Sequence, residues 1–164
     1  PGDLHVEHVV PKSVNEELET EWSNFLLGCV NCNSRKGKRN NSREGYLWPD
    51  HDSTFAAFAY ASGGRVCVSK GLPQDEHRRA SALFGLVGLG EKGTRTDRRR
   101  HKRRQAWDQA VKVRQLIVGE ESRVLAVETA LGTGFFSVWM AVFNDDNDMR
   151  QRLTEAFPGT RVEE

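Results

Sequence analysis

The sequence predicts an α+β fold in which short strands come first and helices follow. Residues 4–10 alternate apolar and polar side chains, as a strand does, and Pro11 stops the run. Residues 55–69 place two apolar runs around Ser-Gly-Gly, a sequence suited to a tight turn, which predicts a β-hairpin. From residue 73 onward, apolar side chains recur at helical spacing. Strands that precede helices in this way favour an α+β architecture.

The elements between the first strand and the hairpin are short. Residues 12–23 are predicted to form a polar loop, and residues 24–30 a second strand. The run 33–36 can start a helix. Residues 40–54 are rich in Asn, Ser, Gly, Pro and Asp, a composition typical of a loop.

The second half of the chain is predicted to be helical. Acidic residues after Pro73 open the first of these helices, and Gly88 and Gly90 end it. Thr96 or Asp97 is predicted to cap the next helix, which carries an apolar stripe over residues 107–118. The remaining predicted helices cover residues 124–130, 136–142 and 148–157.

Composition excludes several classes of protein. The chain has 164 residues and a net charge of +1, and 37% of its residues are hydrophobic. Its longest apolar stretch, residues 135–143, is too short to span a bilayer, so we expect no membrane partner. Cys29 and Cys32, two of three cysteines, form a Cys-x-x-Cys pair, which argues against a secreted disulfide scaffold and for a cytoplasmic location. Because the sequence opens at Pro1, close to its first motif, we expect an upstream segment.

Two blocks of positive charge predict an anionic partner. The first block consists of Arg35, Lys36, Lys38 and Arg39, and the second of Arg98, Arg99, Arg100, Lys102, Arg103 and Arg104. A charged run is often a solvated helix face, and the acidic segment after Gly119 could supply counter-charge. However, six positive residues within seven repel one another. We therefore expect both blocks to contact the phosphates of a nucleic acid, in the first place DNA.

Residues 5–11 and 24–37 together gather the side chains that phosphodiester hydrolysis at one divalent cation requires. A carboxylate and an amide oxygen can hold a hard cation, and both types are present. A neutral histidine can take a proton from water near pH 7. A nearby lysine can bind phosphate. The sequence therefore predicts a nuclease-like site within some thirty residues.

The same residues resemble the HNH (ββα-metal) endonuclease motif, in the HNN variant whose third letter is Asn. The resemblance rests on Glu7-His8-x-x-Pro11, Asn24 and Cys29-x-x-Cys32-Asn33-x-x-Lys36-Gly37. More loosely, the wider chain is similar to stand-alone bacterial HNH proteins related to the Septu anti-phage effector. The resemblance implies two strands and a helix with the ligands at their junction. It also implies an HNH core over residues 1–54, followed over residues 55–164 by a hairpin and a helical extension.

The resemblance implies a role for each motif residue. His8 corresponds to the general base, and Glu7 with Asn33 to the ligands of Mg²⁺ or Mn²⁺. Asn24 corresponds to the middle residue, whose side chain pins the loop that carries the histidine. His5 is a candidate further ligand or phosphate contact. Asn33 could instead, or in addition, be a helix N-cap.

Two features of these residues limit the interpretation. Strand alternation would place His5 and Glu7 on one face and His8 on the other, so the strand must bulge or end there for both to reach one site. Cys29 and Cys32 supply half of a structural Zn²⁺ site, which needs four ligands.

The function predicted from these residues is metal-dependent endonucleolytic cleavage of DNA, in anti-phage defence, with an ATPase or another defence subunit as a possible partner. One alternative is a zinc-stabilised nucleic-acid-binding module without catalysis. Another is a zinc nucleobase deaminase, since His5-Val6-Glu7 and Cys29-x-x-Cys32 match part of that signature. The proline at position 11 opposes the helix that the deaminase signature opens.

Overall fold

The structure, a computed structural model, describes residues 4–40, 42–90 and 97–160. Within these residues it is an α+β fold, as the sequence predicts. The strands are β1 (Leu4–His8), β2 (Phe25–Cys29), β3 (Phe58–Ala61) and β4 (Arg65–Val68). The helices are α1 (Val30–Lys36), α2 (Thr54–Ala57), α3 (Gln74–Leu86), α4 (Arg99–Gln115), α5 (Glu120–Thr133), α6 (Phe136–Val142) and α7 (Asn147–Ala156). Short 3₁₀ turns cover Glu16–Leu18, Trp22–Asn24 and Ser62–Gly64.

The strands form two separate two-stranded sheets. β1 pairs antiparallel with β2, in a register that places Glu7 opposite Leu26 and His8 opposite Phe25. β3 pairs with β4 around the Ser62–Gly64 turn, so the predicted hairpin is confirmed over residues 58–68, whereas residues 55–57 lie in helix α2 and not in the strand. Gly63 and Gly64 both have positive φ angles, of 72° and 68°, which glycine adopts at little cost.

Helix α1 begins three residues earlier than the sequence predicts. Its N-cap is Cys29, whose Sγ accepts a hydrogen bond from the Cys32 amide at 3.4 Å. A sulfur cap is not among the usual Ser, Thr, Asp or Asn signals, so the sequence pattern does not reveal it. The interpretation of Asn33 as an N-cap is therefore wrong, because Asn33 lies inside the helix. Gly37, with a φ angle of 50°, ends α1.

The described residues group into two compact units. The N-terminal unit contains Gly2–Phe58 and Cys67–Glu91, and the C-terminal unit contains Ala59–Val66 and Lys92–Glu164. These units differ from the expected division after residue 54. The reason in the N-terminal unit is packing, because apolar residues at the end of α3 join the core that holds β1. The main members of this core are Val9, Trp48, Leu83, Leu86 and Val87.

The C-terminal unit is built from helices α4 to α7. Ala106 and Ala110 on α4 and Trp139 on α6 are fully buried. The predicted acidic segment finds local partners: Arg114 pairs with Asp145, Arg123 with Asp146 and Asp148, and Arg152 with Glu120 and Asp148. Burial raises the pKa of Asp146, but the hydrogen bond from the Met149 amide and the pairing with Arg123 outweigh it, so the pKa is lowered overall.

Among the described residues, no helix combines the length and the apolar character that crossing a bilayer requires.

Candidate active site

A buried asparagine fixes the chain directly after β1. Asn24 is 3% exposed. Its Oδ1 accepts a hydrogen bond from the Val10 amide at 2.8 Å, and its Nδ2 donates to the carbonyl oxygens of Val10 at 2.9 Å and Leu18 at 3.0 Å. The Val9 amide also donates to the Asn24 carbonyl oxygen, at 2.8 Å. The hydrogen bonds expected of Asn24 are therefore present, and they hold the backbone that follows His8.

A second buried asparagine, Asn40, supports the same segment from the other direction. Its Nδ2 donates to the Val9 carbonyl oxygen at 2.7 Å, and the residue is 3% exposed. No motif in the sequence indicates this role. Asn40 lies in a polar stretch that reads as an ordinary loop, so only the long-range contact identifies it.

The imidazole of His8 is held by a backbone carbonyl. Its Nε2 lies 2.9 Å from the Glu19 carbonyl oxygen, and its ring packs edge-on against Phe25, with 5.1 Å between centroids. Because a carbonyl oxygen only accepts hydrogen bonds, Nε2 must carry the proton in this contact. In the neutral ring Nδ1 is then the unprotonated nitrogen, which is the state that a general base needs.

The residue whose carbonyl holds His8 is itself anchored. The Glu19 carboxylate accepts a hydrogen bond from Lys12 at 2.6 Å, and this bond lowers the pKa of Glu19. The same contact raises the pKa of Lys12. Glu19 is a further site residue that no motif indicates, because it acts through its backbone.

Glu7 forms an ion pair with a buried lysine. Its Oε1 lies 2.7 Å from Lys36 Nζ, and Lys36 is 2% exposed. Gly28 stands beside this pair, and a Cβ at that position would lie 3.4 Å from the Glu7 Cβ. Glycine therefore leaves space next to the Glu7 side chain. Lys36, predicted to bind phosphate, is instead placed on Glu7.

The side chains of Glu7 and His8 lie on opposite faces of β1. Glu7 reaches Lys36 on α1, whereas His8 contacts Glu19 and Phe25, as strand alternation requires. β1 pairs regularly up to His8, its last residue, so the strand ends there instead of bulging. His5 lies on the same face as Glu7, opposite Gly28.

Helix α1 carries the third motif residue and the lysine that contacts Glu7. Asn33 and Lys36 are three residues apart on α1 and so share one face of that helix. Lys36 on that face contacts Glu7, with 2.7 Å between Nζ and Oε1. The structure thus brings Glu7 and Lys36 together, and the role of Asn33 as a second metal ligand stays a prediction.

The donor set at this contact fits a hard divalent cation. A carboxylate and an amide oxygen match Mg²⁺ or Mn²⁺, which leave further positions to water and phosphate. Lys36 already supplies one positive charge to Glu7, so a cation would share or displace that contact. In the described part of the chain, no three His, Cys, Asp or Glu residues cluster as a metal site.

The expected zinc half-site lies at the start of α1. Cys29 and Cys32 are half-buried, and the Cys29 sulfur caps the helix. Zinc binding stays a prediction.

The members of the first basic block differ in their contacts and in their exposure to solvent. Lys36 is buried against Glu7, and the Arg39 guanidinium donates to the carbonyl oxygens of Arg35 and Leu86. Lys38 and Arg39 are exposed, and Arg35 is half-buried. Contact of this block with a nucleic acid stays a prediction, and Lys38 is an exposed candidate for it.

The second basic block is divided in the same way at the start of α4. Arg103 is 6% exposed and its Nε donates to the Gly64 carbonyl oxygen at 3.1 Å, while Arg100 Nε donates to Gly63 at 3.3 Å. Arg99 is held by Asp97, whose carboxylate also accepts from the Arg99 amide. Three members remain exposed, namely Arg98, Lys102 and Arg104. The prediction of Asp97 as the cap of this helix is wrong, because Arg98 is the N-cap of α4 and Asp97 lies one residue before it. Thr96, the alternative cap, lies outside the described residues.

Comparisons with known proteins match the segment that holds this site to a family. Residues 2–39 match the model of the HNH endonuclease family. This segment is similar to the HNH endonuclease domain. The chain is also similar to the Septu protein PtuB of Bacillus thuringiensis, with 34% identity over 50 residues. That match covers 30% of this chain and 20% of PtuB. No solved structure matches the chain significantly.

Proposed function

We propose that the chain is a metal-dependent HNH endonuclease that hydrolyses phosphodiester bonds in DNA. The observation that carries the proposal is the fixed imidazole of His8 at the end of β1. The Glu19 carbonyl sets its tautomer, and Asn24 fixes the backbone behind it. A surface histidine without a chemical role needs neither support.

The chemistry assigned to this chain is a proton transfer at one ring nitrogen. His8 Nδ1 takes a proton from the attacking water as the water oxygen bonds to phosphorus. The bond from phosphorus to the leaving 3′ oxygen breaks, and that oxygen takes a proton from solvent. A bound Mg²⁺ or Mn²⁺, held by Glu7 and Asn33, would supply positive charge that stabilises the transition state. Lys36 holds the Glu7 carboxylate towards α1 for this purpose.

The opposite faces of Glu7 and His8 are compatible with one substrate. Because β1 ends at the second of these two residues, we propose that a phosphate lying over the strand end contacts both side chains. β1 ends at His8, which leaves its ring at the edge of the sheet. The scissile phosphate is therefore assigned to this strand end.

The biological setting is proposed from the resemblance to PtuB. A role in bacterial anti-phage defence, in the cytoplasm and with an ATPase or another defence subunit as partner, fits a nuclease whose cleavage must be restrained. Arg35, Lys38 and the exposed members of the second basic block are proposed to contact DNA phosphates.

One assay tests the catalytic proposal. Plasmid DNA is incubated with the wild-type protein and with His8→Ala, in Mg²⁺ and in EDTA. We expect cleavage by the wild type in Mg²⁺, and a loss of about a hundredfold or more in His8→Ala, the range for general-base removal. His77→Ala is the matched control, since His77 is an exposed histidine of α3. Undiminished cutting in EDTA would refute the metal dependence.

The binding module without catalysis makes a different prediction. It requires no imidazole at position 8, so DNA affinity would be present while both wild type and His8→Ala leave the plasmid intact. The deaminase alternative loses support, because His5 and Glu7 lie in β1 and not at the start of a helix.

A further inference from the structure

Trp22 is an exposed indole in the immediate surroundings of the candidate base. It is 87% exposed, the highest value among the described large apolar residues of the N-terminal unit. The residue opens the 3₁₀ turn Trp22–Asn24, whose last residue is the buried Asn24. The backbone that carries Trp22 is therefore fixed, although its side chain lies in solvent.

The Trp22 ring is connected to His8 through one intervening ring. Trp22 packs edge-on against Phe25, with 6.1 Å between centroids and an angle of 89°, and Phe25 packs edge-on against His8. A perpendicular contact of this kind covers at most one face of the indole. A flat aromatic surface is thus presented to solvent two ring contacts away from the imidazole.

The fold makes little use of this side chain. A tryptophan usually buries roughly 150–250 Å² and contributes strongly to a core, but Trp22 leaves most of its area in water. A cleft of about 280 Å³ adjoins the same turn, lined in part by Ser23, Asn24 and Arg43. The Arg43 guanidinium at this cleft is held by Asp50 and by the Ser23 carbonyl oxygen. The aromatic face of Trp22 is therefore the group that single-stranded nucleic acid would bind, through its bases.

We propose that Trp22 is a stacking platform for an unpaired nucleobase next to the scissile phosphate. The proposal rests on the proposed nuclease function and names its substrate class, which is single-stranded or locally unpaired nucleic acid. Stacking on an aromatic ring is tolerant of sequence, because every base has a π-face. A base inside a regular duplex has both faces covered by its neighbours and cannot stack in this way.

The experiment measures binding separately from cleavage. Affinities of fluorescently labelled oligonucleotides are determined by anisotropy in EDTA for the wild type, Trp22→Ala and Trp22→Phe. The probes are a short single strand, the same strand with one abasic site at each position in turn, and the matching blunt duplex. Val14→Ala is the control, since Val14 is another exposed apolar residue of the N-terminal unit.

We expect Trp22→Ala to weaken single-strand binding about tenfold or more, and Trp22→Phe to retain most of the affinity. The affinity of both variants for the duplex should change little. An abasic site at the stacked position should weaken wild-type binding, yet add nothing to the loss in Trp22→Ala. On the single strand, cleavage kinetics in Mg²⁺ should show a raised KM with kcat largely kept.

Three results would overturn the proposal. Equal single-strand affinity in wild type and Trp22→Ala removes the stacking role, and an equal loss on duplex assigns Trp22 to another contact. A changed oligomeric state in Trp22→Ala, with nucleic-acid binding unchanged, assigns the ring to a protein interface. The exposed residues Val6 and Leu27, on the face of the β1–β2 sheet that also carries His8 and Phe25, would belong to that interface. Binding without any cleavage in Mg²⁺ defeats the proposed nuclease function but leaves the stacking result intact.

Discussion

At the scale of single residues, buried polar side chains carry the candidate site. Asn24, Asn40 and Lys36 are each at most 3% exposed, and each contacts β1 or the residues directly after it. Burial of such groups is costly unless they are hydrogen-bonded or paired. Their presence around one short strand indicates that the strand end must hold a fixed geometry.

Asn24→Ala is expected to lower both stability and activity. The change removes three hydrogen bonds and leaves the buried Val10 amide without its acceptor, so the free energy of unfolding should fall by about 2–4 kcal/mol. Urea unfolding measures this loss, and plasmid cleavage at a temperature where the variant is folded measures the effect on His8. Asn24→Asp is the contrasting variant, because it keeps the acceptor for the Val10 amide but loses the donor to the Val10 and Leu18 carbonyl oxygens, and so it should also be destabilised. Full activity in folded Asn24→Ala would show that the hydrogen bonds matter for stability alone.

Lys36→Met is expected to make stability depend on divalent metal. Removing the lysine leaves the largely buried Glu7 carboxylate unpaired, at a cost of about 3 kcal/mol in EDTA. If Glu7 is a metal ligand, Mg²⁺ or Mn²⁺ should then stabilise Lys36→Met more than the wild type. Thermal unfolding with and without metal measures both effects, and Glu7→Gln combined with Lys36→Met should remove the metal response. A metal response equal to that of the wild type would contradict the shared-site interpretation.

How far the sequence predicts the site differs from residue to residue. The hydrogen bonds of Asn24 follow from the resemblance, and the opposite faces of Glu7 and His8 follow from strand alternation. The position of Lys36 does not follow from the sequence. A lysine directly after such a motif suggests a phosphate ligand, and only the packing of α1 against β1 shows that it contacts Glu7. Glu19 acts through its backbone carbonyl and Asn40 through its side-chain amide, both at long sequence distance, and local patterns do not reveal such contacts.

At the scale of elements, the start of α4 is defined by close contact with the Ser62–Gly64 turn. A Cβ at Gly64 would lie 2.2 Å from the Arg100 carbonyl oxygen and 2.8 Å from the Arg104 nitrogen, both of them backbone atoms. The turn and the helix can therefore approach only because position 64 carries no side chain. This contact explains why two arginines of the basic block bind carbonyl oxygens of the turn.

Gly64→Ala is expected to destabilise the protein by at least about 2 kcal/mol. The positive φ angle of 68° costs about 1–2 kcal/mol for a residue with a Cβ, and the backbone clash adds to it. Gly132→Ala is a control in the same unit, because Gly132 lies exposed within α5 with open space around it and should gain up to about 1 kcal/mol. Chemical unfolding of both variants measures the difference. A neutral Gly64→Ala would show that the turn and α4 can separate without cost.

Element boundaries show where local signals suffice. The hairpin turn and the C-terminal helices are predictable from glycine positions and helical spacing. The start of α1 is not, because the sulfur of Cys29 takes the place of an ordinary cap. The assignment of α3 to the N-terminal unit is not predictable either, since it depends on which apolar faces meet in three dimensions.

At the scale of the whole molecule, a net charge of +1 conceals an uneven distribution. Acidic side chains of the C-terminal unit are paired with arginines of the same unit. Within the second basic block, Arg103 is buried, whereas Arg98, Lys102 and Arg104 are exposed. The sequence predicts the charge of the block, whereas only packing determines which of its members reach solvent.

Removal of the exposed charges is expected to weaken DNA binding and its dependence on salt. The triple variant Arg98→Gln, Lys102→Gln, Arg104→Gln should reduce the slope of log K against log salt by up to about 3, because each phosphate that a cation neutralises contributes roughly 0.9 to that slope. Arg103→Gln is the contrasting variant, since its buried side chain should lower stability and leave the slope unchanged. Titration of labelled duplex at several salt concentrations measures the slope. An unchanged slope in the triple variant would show that these residues are merely solvated.

The hydrogen bonds of Asn24 determine where the loop between β1 and β2 can accept extra residues. The segment between β1 and β2 is held together at its base by hydrogen bonds that join Asn24 to Val9, Val10 and Leu18. Its tip, around Ser13, lies outside these hydrogen bonds. Extra residues inserted near Ser13 would therefore bulge outward and leave the imidazole where it is, whereas an insertion after Glu19 would pull on its carbonyl anchor. The tip is thus a natural place for lineage-specific additions or an engineered tag, and the stretch from Glu19 to Asn24 is one whose length should stay constant.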